Sequence, residues 1–148
     1  MAFIDALLRV CAAQAFTAVA VSTSSIDLTA TTPQRMITTG EPVGFGISVG
    51  VAASATTVLF EAINATDALL TAGIIVLNQR TFLSADLPAG RQIWWGLPQN
   101  WAVAGALRFL GCRVTPAGGA ATVTLTVDFT LQRMFSVSPI HYADAINV

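Results

Sequence analysis

Hydrophobic and polar positions alternate with period two over much of the chain. From Val123 to Leu131 the alternation has no fault. Val123, Leu125, Val127, Phe129 and Leu131 share one face; Thr124, Thr126, Asp128 and Thr130 share the other. Successive strand side chains point to opposite faces, so this segment predicts a half-buried β-strand. Val43, Phe45, Ile47, Val49 and Val51 alternate with Gly44, Gly46, Ser48 and Gly50. The small residues open that second face to close approach by another surface or backbone. β-Branched and aromatic content predicts further strands over residues 16–21, 57–63, 74–77, 91–97 and 107–115.

Turn chemistry separates these segments. Thr39-Gly40-Glu41-Pro42 precedes one strand, Leu87-Pro88-Ala89-Gly90 precedes another, and Pro98-Gln99-Asn100 follows it. Pro116-Ala117-Gly118-Gly119 is a short Gly-rich link that predicts a hairpin between the last two long strands. Helical patterns are weak. Residues 2–13 carry Phe3, Leu7 and Val10 at helical spacing, and residues 64–72 allow a turn or two capped by Thr66. Seven or eight short strands joined by Gly/Pro turns predict an all-β sandwich or barrel.

Composition narrows the choice. The chain has 148 residues, of which 54% are apolar and 10% charged, against roughly 25% charged in an average domain. That excludes disorder and fits one domain, residues 1–148. All seven basic residues are Arg and the net charge is −1, so the basic footprint of a nucleic-acid binder is missing. No apolar run reaches the about 18 residues of a spanning helix. Residues 1–20 lack the positive start of a secretory signal, which predicts mature sequence folding in the cytoplasm. Sparse charge predicts a surface covered by partner chains. Cys11 and Cys112 have no Cys or His neighbours at metal-ligand spacing, and a reducing cytoplasm predicts free, buried thiols.

Catalytic patterns are weak throughout. His141 is the one histidine, and no nucleophile motif frames it. Asp67 and Asp86 sit among turn residues, where capping accounts for them. Glu61 lies within an apolar strand, and pairing with Arg80 or Arg113 is the plain explanation. No phosphate loop, dinucleotide fingerprint or acidic calcium loop occurs. The expectation is a protein without catalytic residues, cofactor or metal.

Three tryptophans form the one constellation of interest. Trp94, Trp95 and Trp101 lie close together beside Arg91. In a regular strand Trp94 and Trp95 face opposite ways, so one belongs to the core and the other to a surface. Trp and Arg are enriched at protein interfaces, which favours protein contact. A sugar-stacking surface is the alternative, with Gln92, Gln99 and Asn100 as the polar groups at hand. The tail from residue 135 to 148 carries Phe135, Pro139, His141 and Tyr142 and reads as an extended arm, as do residues 1–13. Arg91, Trp94, Trp95, Trp101, Phe135, His141 and Tyr142 are thus the interface candidates.

Several short motifs occur in a characteristic order: Gln14-Ala15-Phe16-Thr17, Ser22-Thr23, Ile26-Asp27-Leu28, Gly40-Glu41-Pro42-Val43, Ala85-Asp86-Leu87-Pro88-Ala89-Gly90 and Leu97-Pro98. Arg108-Phe109-Leu110-Gly111-Cys112-Arg113-Val114-Thr115, Gly118-Gly119 and Tyr142-Ala143-Asp144 complete it. On these motifs the chain resembles the jelly-roll capsid cement, or decoration, proteins of Bordetella-type tailed phages. The resemblance implies a jelly-roll β-sandwich of about eight antiparallel strands. It implies binding to the outer surface of an HK97-type head, with the major capsid protein and further copies of the chain as partners. Dimers come first among the implied assemblies and trimers second. A carbohydrate- or receptor-binding module on a virion is the alternative function.

Overall fold

The structure is a computed structural model that describes residues 8–28, 43–98 and 107–131. Among the described residues nine strands form two antiparallel sheets: β1 (Arg9–Phe16), β2 (Ala20–Val21), β3 (Ile26–Asp27), β4 (Val43–Val51), β5 (Ala55–Ala65), β6 (Ile75–Leu83), β7 (Gln92–Gly96), β8 (Phe109–Gly119) and β9 (Val123–Leu131). The first sheet has the order β1-β9-β4-β7, and the second β2-β8-β5-β6, with β3 also paired to β8. Apart from the β2–β3 and β5–β6 connections, the chain changes sheet at every step. This is the strand order of a jelly roll, in agreement with the expected fold class.

The alternation seen in the sequence builds the core. Phe45, Ile47 and Val49 of β4 and Val123, Leu125, Val127 and Phe129 of β9 are buried from one sheet. Val58, Phe60 and Ala62 of β5 and Leu110, Cys112 and Val114 of β8 are buried from the other. Phe45 meets Phe60 edge-on across the sheets, with ring centroids 6.1 Å apart, and Phe129 at 5.7 Å. A smaller cluster of Ile63, Ala65 and Leu70 forms where the β5–β6 loop folds back over the second sheet. Leu70 presses on Gly111, where a Cβ would collide with its side chain.

Four expectations change. Residues 9–13, assigned to a helix-prone amino-terminal arm, form the first part of β1. The strand was hidden because its pairing with β9 shifts register between Arg9 and Cys11 and again between Cys11 and Gln14. Consecutive Val10 and Cys11 are therefore both buried, which breaks the period-two pattern. The strand expected at 16–21 is broken by bends at residues 17–19, leaving the short β2.

The Gly-rich link is not a hairpin. β8 and β9 belong to different sheets, and Gly118 and Gly119, at φ +77° and +62°, carry the chain between them. Residues 66–72 are a loop rather than a helical turn. Asp67 organises it, accepting from the backbone N–H groups of Thr71 (2.9 Å) and Ala72 (2.7 Å) and from the Thr71 hydroxyl (2.8 Å). The carboxy-terminal arm and residues 1–7 lie outside the described residues.

Candidate interaction surface

β7 is an edge strand, and its two tryptophans face opposite ways. Trp95 is the core member, 8% exposed, packed edge-on against Phe60 at 5.2 Å. Trp94 faces outward and is partly buried. Its ring lies along its own strand, so that a Cβ on Gly96 would come within 2.9 Å of it. Its cross-strand partner is Gly46 of β4. The alternating glycines of β4 thus accommodate backbone and ring close together, as the small-residue face suggested. The indole N–H of Trp94 and the Gln92 side-chain oxygen are buried and have no hydrogen-bond partner among the described residues. A sugar would need that N–H and that oxygen open to solvent, so the geometry gives little support to stacking there. Arg91 is exposed at the start of β7. Trp101, Phe135, His141 and Tyr142 lie outside the described residues.

Most exposed large apolar side chains lie elsewhere, on β6 and the loop before it, with Val19 and Val51 exposed apart from them. Among the described residues this strand is one edge of the second sheet, opposite the short β2. Ile75, Val76 and Leu83 are exposed along it, and Leu69 stands 76% exposed at the tip of the preceding loop. On the inward side of β6, the Asn78 side-chain amide donates to the Gly96 carbonyl at 3.1 Å and so ties β6 to β7 across the sandwich. The exposed Arg80 places its guanidinium over the Phe82 ring, 4.8 Å from its centroid. Nothing in composition singled out β6. Its residues 78–81, Asn-Gln-Arg-Thr, are polar and concealed that the strand runs on to Leu83.

Charge on the described surface is largely neutralised locally. Arg9 pairs with Asp128 at 2.8 Å, Arg108 with Asp27 at 2.8 Å and Arg113 with Glu61 at 2.6 Å. Each guanidinium is held above its ordinary pKa by the hydrogen bond it donates to its carboxylate partner. Asp128 and Glu61 are buried, which makes these pairs structural. Of the two partners expected for Glu61, the geometry selects Arg113. Buried Asn64 is likewise satisfied: its amide donates to the carbonyls of Leu107 (2.9 Å) and Phe109 (2.7 Å) and its oxygen accepts from the Leu107 N–H.

Among the described residues no group of His, Cys, Asp or Glu is arranged to hold a metal ion. No described helix is long and apolar enough to cross a membrane. What the arrangement offers is a strand edge with exposed apolar side chains at both ends, Ile75 and Val76 at one and Leu83 at the other.

No curated protein matches the chain. The Bbp16 family model matches residues 10–129, from the first strand to the last. With a phage-associated family model covering nearly the whole jelly roll, the chain belongs to the Bbp16 family and is a phage structural protein.

Proposed function

We propose that the protein is a capsid cement subunit that binds the outside of an HK97-type head and bridges neighbouring capsid subunits. The observation that carries this is the exposed apolar margin of β6 on a jelly roll of a phage structural family. A long edge strand with exposed Ile75, Val76 and Leu83 is a liability for a free monomer and an asset for a subunit that is covered in its assembly. The ion-paired Arg and acidic residues leave little charge for attachment, so apolar contact carries it. Trp94 and Arg91 add a second contact region at the neighbouring β7 edge, and Phe135, His141 and Tyr142, outside the described residues, are further contact candidates. The protein self-associates on the shell, as dimers or trimers, and has no catalytic role.

The experiment is to mix purified protein with preformed heads that lack it and to sediment the mixture. Co-sedimentation that saturates at a fixed ratio to capsid protein supports the proposal. Retention on a glycan array with no binding to heads would replace it with the receptor-binding alternative.

A further inference from the structure

Cys11 stands on β1 in the first sheet and Cys112 on β8 in the second. Remote in sequence, their free thiols are buried in one core, 2% and 0% exposed, close enough to act on each other's ionisation, and the Cys11 thiol donates to the Leu125 carbonyl at 3.6 Å. One short link fastens both strands at this corner. The Ser22 N–H donates to the Cys112 carbonyl at 2.8 Å, and the Cys112 N–H donates to the Ser22 hydroxyl oxygen at 3.2 Å. The Ser24 N–H donates to the carbonyl of Val10, next to Cys11, at 2.8 Å. The Ser22 hydroxyl donates in turn to the Ser24 carbonyl at 2.9 Å, which holds the link rigid.

We propose that Cys11 and Cys112 close into a disulfide joining the two sheets when the protein meets a low-molecular-weight disulfide. The chemistry is thiol–disulfide exchange. The Cys11 thiolate attacks one sulfur of the small disulfide, forming a mixed disulfide and expelling one small thiolate. The Cys112 thiol then loses its proton and attacks the Cys11 sulfur. The Cys11–Cys112 bond forms, and the second small thiolate leaves. The two thiol protons end on the two small thiols, and two electrons pass to the oxidant.

Two features make Cys11 the entry point. β1 is an edge strand with a register shift on each side of Cys11 and with Ala13 in the left-handed region at φ 47°, so local opening starts there most easily. The neighbouring Cys112 and the Val127 backbone hold the Cys11 thiol below its ordinary pKa, while Cys112 is pushed well up by Cys11 and by burial. The thiols stay reduced where glutathione is reducing and close in an oxidising medium, such as a phage particle meets outside its host.

The full chain, purified reduced, is incubated natively with oxidised glutathione, then alkylated in denaturant and digested with trypsin. Cleavage at arginine places Cys11 in peptide 10–35 and Cys112 in peptide 109–113. The expected result is loss of both thiols, a single-chain mass lower by two hydrogen atoms and these two peptides joined. The thermal midpoint should rise on oxidation. Cys112→Ser should stop at a glutathione adduct on Cys11; if that variant fails to fold, the wild-type peptide map alone decides. Two thiols still titrating after native oxidation, a stable glutathione adduct on the wild-type chain or cross-linked chains would each overturn the proposal.

Discussion

Glu61 of β5 and Arg113 of β8 are cross-strand partners joined by two hydrogen bonds of 2.6 and 2.9 Å. The carboxylate is 7% exposed and the guanidinium 30%. Removing the Arg alone leaves a nearly buried carboxylate without its counter-charge. Arg113→Met should therefore cost about 3 kcal/mol of stability. The double variant Glu61→Leu/Arg113→Met should recover most of that loss, because no charge is left buried. Urea unfolding of the three variants checks both statements.

The two adjacent tryptophans should respond differently. Trp95 fills the core against Phe60, so Trp95→Ala should cost roughly 3–5 kcal/mol. Trp94 packs outward on Gly96, and Trp94→Ala should leave the unfolding transition cooperative with a smaller loss. Equal destabilisation by both substitutions would contradict the assignment of core and surface.

Asp67 makes the β5–β6 loop sensitive to acid. Its carboxyl is held below the ordinary carboxylate range by hydrogen bonds from the Ala72 amide and the Thr71 hydroxyl. With the folded pKa lowered, the stabilisation is complete above the unfolded value of about 3.9 and is lost as the pH falls through the folded value. The Thr71 and Ala72 amide resonances should therefore shift below about pH 4, and Asp67→Asn should remove that shift. A loop unchanged at low pH in the native chain would show that the carboxylate does not hold it.

The sequence was most legible where the strands are regular. β4 and β9 alternate cleanly because each buries one face against the opposite sheet and turns the other outward. β1 was missed because its bulges place Val10 and Cys11 both inward. The full length of β6 was missed because this edge strand exposes Gln79, Arg80 and Thr81, so its middle lacks the apolar alternation of a half-buried strand. The apparent hairpin at Gly118-Gly119 failed for a topological reason: turn residues mark a reversal but do not say which sheet the chain enters next. Adjacent Trp94 and Trp95 had to face opposite ways, but the pattern could not say which is buried; the structure buries Trp95, which therefore drops out of the contact candidates. The apolar margin of β6 emerged only when the topology left that strand at an edge. The proximity of Cys11 and Cys112 follows from β1 and β8 facing each other across the sandwich, which spacing along a chain does not encode.

Attachment through apolar surface has its own signature. Leu83→Ser and Val76→Ser should each weaken binding to heads by about tenfold while leaving the fold intact. Raising salt should weaken binding only slightly, because screening acts on charges. Deletion of residues 136–148 should leave the sandwich folded and impair self-association or head binding. Sedimentation with heads at low and high salt measures all of these, and a steep loss with salt would contradict apolar attachment.

The most direct measurement is an electron cryo-microscopy difference map between heads assembled with and without the protein. The account predicts jelly-roll density on the outer surface, spanning adjacent capsid subunits with the β6 edge at a contact. Density absent from the shell, or confined to its interior or to the tail, would contradict it.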